Sequence, residues 1–257
     1  MASPVGTLMR HWRRERRMSQ LGLAGEAGVT QRHVSFVESG RTQPSREMVL
    51  ALARALDVPL RERNQMLLAA GYAPHYRETG LDDDALALVR SALDRVLAHQ
   101  EPYPAVVMDR HWDITDANAA ARAMFTFLLD GAPPAPANVV RLMFTRLRPH
   151  VANFEETGEA LIARVHREAV GGIPDPRTAA LLDEVLAQPG VPPAWRTPDF
   201  ARTASPVLPV RFAKDGVEVG YFSLVTTVGT PQDVTLQEIR IESFFPADPA
   251  TAEYRWT

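Results

Sequence analysis

Cysteine is absent from the 257 residues. That excludes a disulfide, a thiolate metal site and a cysteine nucleophile. Lysine is nearly absent: of 28 basic residues, only Lys214 is not arginine. The imbalance reads as a GC-rich coding bias rather than a need for guanidinium groups. No apolar run approaches the ~18 residues that a membrane-spanning helix requires, and the first 30 residues carry arginines without the apolar stretch of a secretory leader. A cytoplasmic protein with no membrane partner is the expectation. Catalytic signatures are missing as well: there is no GxSxG, no HExxH and no glycine loop for a nucleotide. His166-Arg167-Glu168 has the look of one corner of a zinc deaminase, but the cysteines that would complete it do not exist. No catalytic residue and no cofactor are expected.

What is present is ordinary in bulk and uneven in distribution. Hydrophobic residues make up 46% and charged residues 23%, enough apolar material for one large domain or two smaller ones. The net charge of −3 hides a division. Residues 1–77 hold 12 arginines against 6 acidic residues, whereas the remainder holds 16 basic and 25 acidic residues. A basic head on an acidic body suits a DNA-binding domain joined to a domain with another task.

The head concentrates its information in residues 19–41, SQLGLAGEAGVTQRHVSFVESGR. Leu23, Ala24, Ala27, Val29, Val34 and Val37 have the spacing of two short helices packed across a tight turn. Gly28 supplies the positive φ at the corner. Thr30 caps the second helix. Its outer face carries Gln31, Arg32, His33 and Ser35, with Arg41 just beyond. Such groups hydrogen-bond to base edges and phosphates. Gln31 and Arg32 fall in the first turn, where base contacts concentrate. Arg16, with Arg14 and Arg17, is either a phosphate contact or plain surface. Periodicity and caps predict further helices over 5–17, after Ser45, and from Pro59 to Gly71. The head, 1–72, is therefore read as an all-α, five-helix domain.

This window resembles the helix-turn-helix of lambdoid phage repressors and of the xenobiotic-response-element (XRE) class of bacterial regulators. The likeness extends over about residues 5–72. It implies that Gln20 braces Gln31 while Gln31 reads a base, and that Arg13 pairs with Glu38. The partner it implies is a double-stranded DNA operator, read by a homodimer through two half-sites.

Residues 73–103 are read as a linker and a connecting helix over 81–99, with Leu86, Val89, Leu93, Val96 and Leu97 at helical spacing. The helix is a candidate dimer contact. From Pro104 the pattern turns to strands at 105–108 and 112–115, then a helix capped by Asn118. After a proline-rich break at 132–136, helices are predicted over 138–146, 149–170 and 175–187. Strands follow at 207–213, 217–228 and 233–245, with Asp215-Gly216 as a turn. That order predicts an antiparallel sheet with flanking helices in 104–257, and an α+β chain as a whole. Pro104–Val107, His111–Ile114, Asn118–Ala121, Arg141–Phe144, Asn153–Glu155, Val219–Phe222 and Phe244–Pro246 resemble the C-terminal domain of the MmyB-like branch of XRE regulators. The resemblance implies a PAS-like ligand-binding domain and a small apolar ligand of fatty-acid type.

Phe125, Phe144, Phe154, Phe212, Phe222 and Phe244 are read as the lining of an apolar cavity between helices and sheet. The alternative, that they fill a core, stays open. His150, Tyr221 and Arg148 are candidates for a polar anchor. Asp109, His111 and Asp113 alternate as strand-borne metal ligands would, but an exposed polar face gives the same pattern, and no metal is expected. The leading reading of the whole chain is a ligand-responsive transcription regulator. The alternatives are a ligand-free regulator whose C-terminal domain dimerises or binds a protein, and an enzyme tethered to a helix-turn-helix.

Overall fold

The computed structural model describes residues 3–168, 175–197 and 207–256. The chain divides into two compact units, the first formed by residues up to Thr79 together with Thr230–Gln237, the second by most of the remainder. The first unit contains α1 (Pro4–Glu15), α2 (Gln20–Glu26), α3 (Gln31–Ser39), α4 (Arg46–Ala55) and α5 (Leu60–Ala69). The side chains of Ser3, Ser19, Thr30 and Ser45 each accept a hydrogen bond from a backbone N–H in the first turn of α1 to α4. The apolar residues at i, i+3 and i+4 then close into one core, with Met9, Leu23, Val34, Val37, Leu52 and Leu67 buried. The crossing of α1 and α3 is close: a Cβ added at Gly6 would lie 2.4 Å from the Val37 carbonyl oxygen. Gly28 takes φ +68° at the corner between α2 and α3.

Pro59 cannot cap α5, and no side chain does so locally. Instead Gln237 Oε1 accepts from Leu60 N at 2.6 Å. In the same distant segment the Asp233 carboxylate accepts from Thr79 N at 3.1 Å and Thr79 Oγ1 at 2.6 Å. Val234 N donates to the Arg77 carbonyl. Asn64 Oδ1 holds the backbone N–H groups of His75 and Tyr76. The stretch expected as an irregular linker, 72–80, is thus tied into the first unit almost to its end.

The second unit is built on a five-stranded antiparallel sheet of order β2-β1-β5-β4-β3. The strands are β1 (Ala105–Met108), β2 (Ile114–Ala117), β3 (Val210–Lys214), β4 (Val217–Thr227) and β5 (Arg240–Pro246). Its helices are α6 (Ala87–Gln100), α7 (Ala119–Leu129), α8 (Val139–Phe144), α9 (Phe154–Glu168), α10 (Pro176–Leu186) and α12 (Pro249–Glu253). Asp215 and Gly216, both at positive φ, turn β3 into β4. Val106, Met108, Phe212, Val219 and Tyr221 from the sheet join Met124, Val140, Ile162 and Val185 from the helices in one core. Asn118 organises one corner: its Oδ1 accepts from Ala105 N and Ala121 N, and its Nδ2 donates to the Tyr103 carbonyl.

Four elements depart from expectation. The helix expected over 81–99 opens with a 3₁₀ turn at Asp84–Leu86, capped by Asp83, and becomes α-helical only from Ala87 to Gln100. β2 begins at Ile114, because Trp112 takes φ +69° and Asp109 Oδ1 accepts from the backbone N–H groups of His111 and Asp113, closing a turn. The strand expected over 233–245 starts only at Arg240. Before it, α11 (Val234–Glu238) forms, with Asp233 Oδ1 accepting from Thr235 N. The helix expected from 149 begins at Phe154, after a single 3₁₀ turn at Arg148–His150; residues 169 and 170, its expected end, lie outside the described residues. Among the described residues no helix is long and apolar enough to cross a membrane.

Candidate nucleic-acid interface and ligand cavity

One face of α3 is buried through Val34, Val37 and Glu38, while Gln31, Arg32 and Ser39 are exposed and Ser35 is half-buried. Thr30 Oγ1 accepts from His33 N, so its hydroxyl works as the cap. Phe36 gives the outer face its shape. The Arg32 guanidinium lies 5.0 Å from the ring centre and that of Arg41 5.7 Å. One aromatic ring thus holds two arginines, from the first turn of α3 and from just beyond its end, at fixed positions. The i, i+4 spacing of Arg32 and Phe36 carried that signal in the sequence.

Behind this face sits a charged anchor. Glu38, 2% exposed, receives Arg13 Nε at 2.6 Å and Arg13 Nη2 at 3.0 Å, and Gln20 Nε2 at 2.8 Å. Arg13 also donates to the Met18 carbonyl, and Arg10 to the carbonyl of Glu38 itself. Burial pushes the Glu38 carboxyl up, but the donors from Arg13 and Gln20 and the nearby guanidinium charges outweigh it and hold the pKa below the usual range. The Gln20 amide is therefore turned inward onto Glu38, which corrects the expectation that it braces Gln31. Arg16 also differs from its reading as a phosphate contact or plain surface. It donates to the carbonyls of Leu56 and Asp57, at 2.9 and 2.7 Å, and so caps the C-terminal end of α4.

In the second unit a cavity of about 80 Å³ lies between the sheet and α7, α8 and α9. Phe125, Phe212 and Phe244 line it, with Val106, Met124, Met143 and Leu161. The other expected lining residues are elsewhere. Phe144 packs edge-on against Phe154 and Trp195, at 5.3 and 6.2 Å between ring centres, and so fills core. Phe222 stacks on Phe245 at 5.7 Å. The strand alternation turns both from the cavity-facing side of the sheet, to which Phe212 and Phe244 belong. The Tyr221 hydroxyl accepts from Trp256 Nε1 at 2.9 Å. His150 belongs to the 3₁₀ turn before α9. Arg148 donates to the carbonyls of Pro189 and Gly190. None of these six side chains reaches the cavity.

The charged groups that do line it are Arg164 and Glu242, beside Trp112. Arg164 and Arg240 each place a guanidinium 4.6 Å from the centre of the Trp112 ring. Burial pushes the pKa of Arg240 down to about 10, which leaves it charged at neutral pH. The sequence carried two faint signs of this cluster. Arg164 lies one helical turn from the apolar Leu161, and Glu242 shares a strand face with Phe244. Asp109, His111 and Asp113 do not converge: Asp109 closes the turn described above, and Asp113 pairs with Asn138 and Arg177. On the other side of the sheet a wider, open groove of about 380 Å³ runs between α6 and Thr226, Ile239 and Ile241.

Compared with known proteins, residues 89–256 match the family described as MmyB-like transcription regulator ligand binding domain, and residues 9–63 match the helix-turn-helix family. No curated protein matches the chain. Among solved structures, the restriction-modification controller protein C.AhdI from Aeromonas hydrophila is 34% identical over 24% of this chain and 94% of its own, with a TM-score of 0.23. An RNA-binding light-oxygen-voltage receptor is 13% identical over 95% of this chain and 60% of its own, with a TM-score of 0.29.

Proposed function

Because the chain belongs to the MmyB-like transcription regulators, we propose that it binds a double-stranded DNA operator as a homodimer and that a small apolar ligand in its C-terminal domain alters that binding. The observation that carries this reading is the outer face of α3. Gln31, Arg32 and Arg41 stand exposed there, beside Thr30, His33 and Ser35. The phenyl ring of Phe36 keeps the two arginines in place. Gln31 and Arg32 read bases; Arg41 contacts phosphate. The domains act as a head over 1–72, a connecting stretch over 73–103 and a sensor over 104–257, with residues 73–79 and Thr230–Gln237 packing as part of the head. In support of dimerisation, Leu88 on α6 is 84% exposed beside an apolar groove, a surface that a second copy would cover. The sensor holds its ligand against Phe125, Phe212 and Phe244. A fatty-acid-like ligand would have to be short, because pockets for drug-sized molecules measure ~300–1,000 Å³ and this cavity about 80 Å³. No step in this function is catalytic, and the cytoplasm is where its DNA lies.

The test is fluorescence anisotropy of the full chain on a duplex from its own promoter region and on a scrambled duplex, over a range of salt. Tighter binding to the promoter is expected, and equal affinity at every salt concentration would sink the base-reading assignment. A ligand must favour one arrangement of the dimer over another to be felt at the DNA. The tight packing of Phe144, Phe154 and Trp195 favours a second reading, a domain that only dimerises. Mass spectrometry of the purified protein for a bound small molecule separates the two.

A further inference from the structure

Three stretches of strand lie at the rim of the sheet, and two of them are protected. β2 is four residues long and carries Asp116, paired with Arg122. β3 is held along its outer side: Ala152 N donates to the Arg211 carbonyl, and Asn153 Oδ1 accepts from Arg211 N. Short, charged or covered strands do not attract another strand. The third stretch is bare. β4 runs to Thr227, but β3 pairs with it only from Val217 to Tyr221. Beyond Tyr221, β4 has β5 on one side and, among the described residues, nothing on the other. Leu224 is 56% and Val225 43% exposed. The Gly220 carbonyl accepts from Ala247 N, on the β5 side. Backbone groups alternate in direction along an antiparallel strand. Phe222, Leu224 and Thr226 therefore bond to β5, while the N–H and C=O of Ser223, Val225 and Thr227 face outward.

Resting on the homodimer reading above, we propose that this edge pairs antiparallel with the same edge of a second copy, across a two-fold axis at Val225, so that the two sheets run on as one. The sequence of the edge favours a second copy over a foreign strand. Phe222–Val228, FSLVTTV, has no charged side chain. A strand laid against its own copy sets like groups close together, so an uncharged edge meets itself without repulsion. The stretch is rich in β-branched residues, its register against β5 is unbroken, and no proline, lysine or bulge blunts it. An axis at Val225 gives the longest ladder. Val225 opposes the partner's Val225, Ser223 opposes the partner's Thr227, and Thr227 opposes the partner's Ser223. Each pair exchanges both of its N–H···O=C bonds. Moving the axis to Leu224 loses one of these pairs. Leu224 then stands opposite the partner's Thr226 when the axis is at Val225, on the side of the sheet that carries the groove beside α6. Thr226 is already a wall of that groove, as is Leu88. The edge therefore continues the apolar surface around Leu88.

The absence of cysteine makes the test direct. Val225→Cys, Leu224→Cys and Glu218→Cys are each made in the full chain and oxidised with copper phenanthroline, and the covalent dimer is read on a non-reducing gel. Opposed residues of a hydrogen-bonded pair have Cα atoms ~5.5 Å apart, within disulfide reach. Leu224 and its own copy would be diagonal neighbours, ~7–8 Å apart, and too far. Glu218 lies where β3 covers β4. Val225→Cys is expected to cross-link at least tenfold faster than either other variant. Sedimentation velocity of the unaltered chain gives its oligomeric state independently. If the chain sediments as a dimer but Val225→Cys cross-links no faster than Glu218→Cys, edge pairing is overturned and the homodimer stands on another surface. Faster cross-linking through Leu224→Cys overturns the axis at Val225. A monomer at every concentration overturns the proposal together with the homodimer reading and leaves the edge to a strand of another protein. If Val225→Cys does not fold, amide exchange of the unaltered chain decides. The Ser223, Val225 and Thr227 amides should exchange at least tenfold more slowly in concentrated than in dilute protein, with Phe222 and Leu224 unchanged. No such slowing in a chain that dimerises overturns the pairing.

Discussion

Each unit of this protein buries arginines against glutamates, and the two clusters are finished to different degrees. In the head, the carboxylate of Glu38 is met by Arg13 and Gln20, and Arg13 has a further acceptor in the Met18 carbonyl. In the body, Arg164 and Arg240 share Glu168 beside Trp112, Arg164 also reaches Glu242, and one Arg164 nitrogen has no acceptor among the described residues. A satisfied buried network holds its elements in one arrangement. A cluster with a donor left over has spent less of its hydrogen-bonding capacity on holding its elements together. The first suits a platform that presents a reading helix.

The largest expected effect tests the finished cluster. Glu38→Ala leaves the half-buried Arg13 without its counter-charge and should destabilise the head by up to about 3 kcal/mol, seen as an early thermal transition. Acid should act the same way. The folded pKa of Glu38 is lowered, so its contribution is complete above the ordinary carboxylate range and is lost as pH falls through that lowered value. A head whose stability is flat from pH 6 to below pH 3 would show that the carboxylate matters little. Next comes Arg32→Ala, which should cost ~1–3 kcal/mol of specific binding and relax sequence preference. Phe36→Ala should weaken binding less, by freeing Arg32 and Arg41 without removing either.

Asp233→Ala asks whether a segment far along the chain is part of the head. Losing the acceptor for Thr79 should cost about 1–3 kcal/mol locally, read as faster hydrogen exchange at Thr79 and Leu60 with the sheet amides unchanged. Exchange that rises equally across the sheet would contradict the assignment of this segment to the head. The smallest effect is Arg16→Ala. As a cap of α4 it should lower stability by about 0.5–1.5 kcal/mol and leave the salt dependence of DNA affinity as it was. A phosphate contact would instead reduce the salt slope by about one.

Much of the head was readable because its instructions are local. Ser19, Thr30 and Ser45 sit where free N–H groups need an oxygen, Gly28 sits where φ must be positive, and the apolar spacing selects the buried faces. The strand at 233–245 failed for the opposite reason. Apolar alternation favoured extended chain, but the Asp233 side chain, bound to Thr79 and Thr235, starts a short helix instead. No pattern within a few residues of Asp233 records a partner more than a hundred positions away. The phenylalanines show the same limit. Their number suggested a lined cavity, yet which of them face it depends on strand register and on rings such as Trp195 that fill the space around Phe144.

The sequence by itself determined the order of the longer helices and strands, the helix-turn-helix and its exposed polar face, and the α+β class, because caps, turns and hydrophobic period act over one or two turns of chain. Only the tertiary structure decided that Gln20 serves Glu38, that Arg16 caps α4, that Thr230–Gln237 completes the head, and that Arg164 stands at the end of a small cavity beside Trp112 and Glu242. Those are pairings across long stretches of chain, set by which faces pack together and which buried polar groups are left in need of a partner.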